Sequence, residues 1–135
     1  MRAVVDTNVL VSGLMGTTGP PWQVVRAMLA GQLRPVVCAD IVAEYRDVLP
    51  RPRLRIRAEY SAELLTLIEQ VADWLTVPAY AGVPPLPDPD DWPFFAAARV
   101  AACPLITGNA RHFPAGLGVE VMTAREWVSA GRSLS

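Results

Sequence analysis

Carboxylates occur at three places in the chain where a strand-like run ends or a helix-like run begins. Asp6 closes a valine-rich run, Glu44 lies in a helix-like segment, and residues 88–91 carry three aspartates directly before an apolar run. Clustered carboxylates repel one another and normally need a counter-cation. Oxygen donors without paired cysteines or histidines favour Mg²⁺ or Mn²⁺ over zinc. Such ions polarise phosphates and activate water, so the pattern predicts a phosphodiester hydrolase.

Each of these residues also has an ordinary structural interpretation. Asp6 is a possible strand-end turn residue and Glu44 a possible rim residue of a helix. Asp88, Asp90 and Asp91 fit turns and helix N-caps. Asn109, in the polar segment that begins at Thr107, fits a loop amide. The residue types alone leave both interpretations open.

Strands and helices are predicted to alternate along the whole chain, which indicates a mostly parallel, roughly five-stranded sheet flanked by helices. Residues 6–8 are expected to form a turn after the first strand, and no regular element is assigned to residues 9–15. The predicted strands are residues 2–6, 34–38, 75–78, 104–107 and 119–122. The predicted helices run from Pro21 to before Gly31, from an N-cap at Asp40 to about Leu49, from Ala62 to about Leu75, from Phe94 to Ala102, and from a Thr123–Glu126 capping box to near Gly131. The carboxyl ends of parallel strands meet at one edge, so Asp6, residues 88–91 and Thr107 to Asn109 are expected there, with Glu44 facing them from the side.

Composition indicates one globular domain over residues 1–135. The chain is 52% hydrophobic and 19% charged, which excludes intrinsic disorder, and its apolar runs are too short to span a bilayer. No signal-peptide pattern precedes Asp6, so a cytoplasmic location is expected. Cys38 and Cys103 are isolated in apolar runs and are expected to be buried thiols.

Basic residues are arginines only. The 12 basic residues include no lysine, which excludes a P-loop, a Schiff base and a lysine-assisted phosphatase. With a formal charge of −1, a polyanion must be held by local patches or through metal ions. Arg51, Arg53, Arg55 and Arg57 alternate along one connection, which fits a solvated segment or a phosphate-contacting patch equally well.

Four motifs together resemble the PIN-domain family, in the branch that contains toxins of toxin–antitoxin pairs. They are DTNVL after the first strand, EYRDVLPRP at the end of a helix, DPDDWPFF before the buried helix, and LITGNARHFP near the end of the chain. They occur in the family's order and cover nearly the whole chain. The resemblance implies a three-layer α/β sandwich and a metal-dependent ribonuclease specific for single-stranded RNA, with acids around one or two Mg²⁺ or Mn²⁺ ions.

The resemblance also assigns individual residues. The first family aspartate falls on Asp6, the helical glutamate on Glu44 and the third acid on Asp91, with Asp88 as a second candidate. The fourth position, often aspartate, is Asn109, whose neutral oxygen would hold a second metal more weakly.

Two further residues have expected supporting roles. Thr107 resembles the family's hydroxyl residue that orients the site. Asn8 is expected to support Asp6 without binding the metal itself.

The resulting hypothesis is that the protein hydrolyses RNA with a metal-activated water. Replacement of the acids tests this hypothesis. The expected catalytic residues are Asp6, Glu44, Asp91, Asn109 and Thr107; the expected metal ligands are Asp6, Glu44, Asp91 and Asp88; and Arg51, Arg53 and Arg55 are expected to contact phosphates.

Two alternatives come from other classes. The first is a PIN-like module, catalytically weak or inactive, that binds RNA or a partner protein, which Asn109 makes plausible. The second is a haloacid-dehalogenase-like phosphatase, which is disfavoured because Asn8 replaces its second aspartate and no lysine exists.

The resemblance further implies two protein partners. One is a cognate antitoxin. The other is a second copy of the chain, for which Trp22, Met28 and Leu64 offer apolar surface, although these residues equally fit a core.

Overall fold

The fold is a five-stranded parallel sheet flanked by helices, as predicted. It is seen in a computed structural model that describes residues 1–16 and 18–131. The strands are β1 (Arg2–Val5), β2 (Arg34–Val37), β3 (Asp73–Trp74), β4 (Leu105–Ile106) and β5 (Val121–Met122). The helices are α1 (Thr7–Met15), α2 (Pro20–Leu29), α3 (Ala39–Val48), α4 (Ala58–Val71), α5 (Trp92–Ala101) and α6 (Ala124–Ser129). Short 3₁₀ helices cover Pro52–Leu54, Pro89–Asp91 and Ala110–His112.

The strand order β3-β2-β1-β4-β5 places β1 at the centre of the sheet. The chain moves outward from β1 to β2 and β3, and then returns to the other side of β1 for β4 and β5. All strand pairs are parallel, so every strand ends at the same edge. The strand order therefore reverses beside β1, and in open α/β sheets ligands bind at the carboxyl edge at such a point.

Burial in the core accounts for the valine-rich runs of β1 and β2. Ala3, Val4 and Val5 of β1 are fully buried, as are Val36 and Val37 of β2. Strands covered on both faces read as continuous apolar runs, which is the pattern observed here. Helix α5 packs on β1, β2 and β4, and its alanines allow close approach to the sheet.

One helix was not predicted. Residues 6–8 were expected to turn, but α1 begins directly at Thr7, with Asp6 at the N-cap position and no cap bond from its side chain. Gly13 allows this helix to pack closely on α2, because a Cβ there would lie 2.6 Å from Val25 Cγ2. Helices α1 and α2 thus touch closely at a residue that looks like a helix breaker in isolation.

Several predicted boundaries were wrong by a few residues. The N-cap of α3 is Cys38, and Asp40 lies in the first turn. Helix α4 begins at Ala58, four residues before the predicted Ala62. Ser61 lies inside this helix, and its buried hydroxyl donates to the Leu49 carbonyl. Strand β3 precedes the predicted residues 75–78, because it pairs with Val36 and Val37 of β2.

Other local predictions are confirmed. The Thr123–Glu126 capping box is present at the start of α6, with both reciprocal hydrogen bonds formed. Cys38 and Cys103 are free and buried. Among the described residues, no helix combines the length and the apolar character needed to cross a membrane.

Candidate active site

Asp6 is the central acid of the site. It follows β1 directly and is only 7% exposed. Its carboxylate accepts a hydrogen bond from the Thr107 hydroxyl at 2.7 Å, and its N–H donates to the Ile106 carbonyl at 2.9 Å. Burial raises the pKa of Asp6, and the bond from Thr107 partly opposes that shift. The two central strands thus hold this carboxylate in a fixed place.

Glu44 approaches from α3, which begins at the same edge of the sheet. It is half-buried, and the Thr7 hydroxyl donates a hydrogen bond to its carboxylate. Burial raises the pKa of Glu44, and the nearby charges of Asp6, Asp90 and Asp88 raise it further. Thr7 therefore links Glu44 to the residue next to Asp6, a role that the sequence analysis did not assign.

Asp91 is the third acid, and its neighbours have different roles. The Asp88 side chain accepts a hydrogen bond from the Asp90 N–H at 2.9 Å, so it caps the 3₁₀ helix Pro89–Asp91. Asp91 makes no such cap bond, and its side chain is 19% exposed. Burial, together with the charges of Asp6 and Asp88, raises its pKa from 3.8 to about 6.

The loop after β4 closes the site from the other side. Thr107 is fully buried, and its hydroxyl oxygen accepts the Asn109 N–H at 3.0 Å while donating to Asp6. Asn8 accepts the Gly108 N–H at 3.0 Å. Asn8 therefore fixes this loop rather than bonding to Asp6, and the Asn109 side chain is exposed.

His112 joins the site through a contact that was not predicted. Its Nδ1 lies 3.7 Å from Asp91 Oδ2, beyond hydrogen-bond length. Its charge, when present, lowers the pKa of both Asp91 and Asp6. The signal in the sequence was only that it is the single histidine of the chain, five residues after the predicted strand 104–107 ends at Thr107.

In the part of the chain that the structure describes, the three acids have no arginine to neutralise them. Within the described residues, no arginine forms an ion pair with Asp6, Glu44 or Asp91. Mutual repulsion and burial make their ionised forms costly, as the raised pKa values show. A divalent cation would relieve this cost, and all three donors are oxygens, as Mg²⁺ and Mn²⁺ prefer.

The oxygen donors of the three acids suit such a cation. The acids nevertheless lie farther apart than the ligands that together surround one bound ion. Among the residues the structure describes, no group of three or more acids, histidines or cysteines is close enough to hold a metal ion. The structure thus brings Asp6, Glu44 and Asp91 within electrostatic range of one another and leaves space between them.

A groove of about 560 Å³ lies beside Glu44. Asp40 and Asp90 line it with Glu44, and its apolar wall includes Tyr80 and Trp92, whose ring centroids are 5.2 Å apart. The groove opens the acidic site to a ligand longer than a single phosphate.

The arginines of residues 51–57 lie away from these acids. Helix α3 starts at the acidic edge and runs back from it, and Arg51 follows its far end. Arg51 pairs with Asp47 at 2.7 Å, whereas Arg53 and Arg55 are exposed. Of this predicted patch, Arg53 and Arg55 keep free guanidinium groups.

The chain belongs to the PIN-domain family. A family model described as PIN domain matches residues 2–111, which include Asp6, Glu44, Asp91 and Asn109. No curated protein and no solved structure matches the chain. PIN domains are generally nucleases and typically use divalent metal ions, so the acidic edge of the sheet is the expected active site of a nuclease.

Proposed function

We propose that this protein is a metal-dependent endoribonuclease that cleaves single-stranded RNA. The observation that carries the proposal is the set of three acids, from three separate segments, that share one edge of the sheet and have no arginine partner among the described residues. A neighbouring open groove supports a strand-like substrate.

Asp6, Glu44 and Asp91 would hold the metal in this proposal. Bound Mg²⁺ or Mn²⁺ would polarise the scissile phosphate and activate the attacking water. Asp88 serves mainly as a helix cap and contributes negative charge from nearby. It is therefore the weaker candidate ligand.

The other residues of the chain position these acids. Thr107 fixes one oxygen of Asp6, and Thr7 fixes one oxygen of Glu44. These bonds orient the two carboxylates that would face the metal. Asn109 offers a neutral amide, so a second metal would be held more weakly than the first.

Replacement of the acids tests this assignment. Asp6→Asn and Glu44→Gln should abolish Mn²⁺-dependent cleavage of single-stranded RNA, because each removes a charged metal ligand. Glu63→Gln is a matched control, since Glu63 is an exposed glutamate of α4 that lines a different, apolar cavity. The assignment would be wrong if the two variants cut RNA as well as Glu63→Gln does.

The exposed Asn109 favours a second candidate, a PIN-like module that binds RNA or a protein without cutting. Isothermal titration with Mn²⁺ separates the two functions. The nuclease should bind Mn²⁺ and lose that binding in Asp6→Asn, whereas the module should show no measurable affinity in either form.

The biological setting belongs to the same proposal. The protein would act in the cytoplasm as the toxin of a type II toxin–antitoxin pair, inhibited by a cognate antitoxin. Met28 and Leu64 are buried in the core, but Leu64 also lines an apolar cavity of about 290 Å³ with Trp22 and the exposed Leu29. This cavity supports binding of a protein partner, either the antitoxin or a second copy of the chain.

A further inference from the structure

RNA binding at the acidic edge of the sheet requires positively charged groups in addition to any metal ion that the acids bind. Carboxylates repel phosphates, and the formal charge of −1 supplies no general attraction. A metal ion compensates only where it is bound. The flanking phosphates of the strand need a separate cation.

Eleven arginines lie in the described part of the chain, and about half of them are already engaged by other side chains. Six of them form ion pairs or lie over aromatic rings: Arg2, Arg34, Arg46, Arg51, Arg57 and Arg99. Five others in the described part of the chain are exposed, and their guanidinium groups have no protein partner: Arg26, Arg53, Arg55, Arg111 and Arg125.

Arg111 is the member of this second group that lies in a turn of the active site itself. It is the middle residue of the 3₁₀ helix Ala110–His112. On one side, the Asn109 N–H is bonded to Thr107, which in turn holds Asp6. On the other side, the ring of His112 lies 3.7 Å from Asp91. The backbone of Arg111 therefore lies between Asn109, which is bonded to Thr107, and His112, whose ring lies near Asp91, while its side chain remains free.

The other free arginines lie on different parts of the fold. Arg26 is on α2, which runs towards the start of β2 and so away from the carboxyl edge. Arg53 and Arg55 lie beyond the far end of α3. Arg125, at the start of α6, lies at the same carboxyl edge as the acids, but it follows β5, which β4 separates from β1. Each of these four arginines would contact a phosphate far from the scissile one, or no phosphate at all.

We propose that Arg111 binds an RNA phosphate next to the one that is cleaved. This inference rests on the nuclease function proposed above. A guanidinium can donate two parallel hydrogen bonds to phosphate oxygens. Held at this point, it would fix the strand relative to Asp6 and Asp91 without contacting the scissile phosphate.

The experiment measures RNA binding separately from cleavage. Affinity of a fluorescein-labelled, single-stranded RNA oligonucleotide is determined by anisotropy in the Asp6→Asn background, across roughly 50 to 200 mM salt. Adding Arg111→Gln should weaken binding about tenfold at low salt, since one charged contact is lost. The slope of log affinity against log salt should fall by about 0.7, the value for one phosphate of a single strand.

Arg26→Gln is the matched control. It makes the same chemical change, and the same change in net charge, at an exposed arginine without a partner on the other side of the fold. Its affinity and salt slope should equal those of the parent.

Two results would overturn the inference, and they are distinguishable. If the parent binds RNA and Arg111→Gln matches Arg26→Gln, only the role of Arg111 fails. If the Asp6→Asn parent binds no RNA and the wild-type protein also fails to cleave it in Mn²⁺, the proposed nuclease function fails together with the role of Arg111; if the wild type does cleave, the same comparison of Arg111→Gln with Arg26→Gln is made on the KM of cleavage.

Discussion

Asp91 gives the protein a measurable cost of folding without metal. Its pKa is raised from 3.8 to about 6 by burial and by the charges of Asp6 and Asp88. Each pKa unit corresponds to about 1.4 kcal/mol, so the ionised carboxylate destabilises the fold by up to about 3 kcal/mol. Because the side chain is only 19% exposed, solvent screens little of this cost. Asp91→Asn removes it.

The sign of the pH dependence follows from the direction of this shift. Below pH 3.8 Asp91 is protonated in both the folded and the unfolded chain, so its ionisation costs nothing. Between 3.8 and about 6 the unfolded chain ionises first, and wild-type stability falls as pH rises. Above about 6 the full cost is present. The stability advantage of Asp91→Asn should therefore grow by about 2.4 kcal/mol between pH 4 and 7.

Urea unfolding of both proteins in EDTA, across this pH range, measures the difference directly. Added Mn²⁺ provides the second arm, because a ligand that binds only the folded wild type stabilises it by about 2.7 kcal/mol at 100 times its Kd. Mn²⁺ should thus cancel most of the advantage of the variant at pH 7. A stability difference that stays constant from pH 4 to 7 in EDTA would refute the reasoning.

Two further predictions concern the packing and hydrogen bonds that support the site. Thr107→Val removes the hydroxyl that donates to Asp6 in a fully buried position, and should cost about 1–3 kcal/mol in urea unfolding, whereas Thr107→Ser should retain most of the stability. Gly13→Ala places a Cβ 2.6 Å from Val25 Cγ2 and should lower stability by about 1–3 kcal/mol by the same measurement. Gly16→Ala, whose Cβ would lie 3.9 Å from the Ser12 carbonyl oxygen, should be close to neutral. Equal effects at the two glycines would contradict this account of how α1 packs.

The position of Asp6 could be predicted because it depends on local patterns. A run of valines followed by an aspartate predicts a buried strand and its end, and alternating elements predict a parallel sheet. Topology then places that end at the ligand-binding edge. The Thr123–Glu126 capping box was predictable for the same reason, since both partners lie within one turn.

Helix α1 could not be predicted because its stability depends on another helix. Asp6, Thr7 and Asn8 all favour local turns in isolation, and Gly13 weakens a helix. In the structure, Thr7 and Asn8 instead bond to Glu44 and to the loop after β4. These partners are distant in sequence, so tertiary contacts override the local preference.

The contact between His112 and Asp91 could not be predicted either, because Asp91 directly precedes α5 and His112 follows β4. No periodicity relates a loop after β4 to the first residues before α5. What the sequence did contain was the type of residue: a single histidine, close to a predicted acidic edge.

Asn109 matters to the site through its backbone as well as its side chain. Its N–H bonds to Thr107, and its carbonyl accepts the His112 N–H at 2.9 Å. Both contacts are independent of whether the side chain is an acid or an amide. Exchange of aspartate for asparagine at this position would therefore reduce the charge available to a second metal while preserving the chain of bonds that carries Arg111 and His112. This separates two properties that the family motif combines: the number of metals bound, which depends on the side chain, and the shape of the rim, which does not.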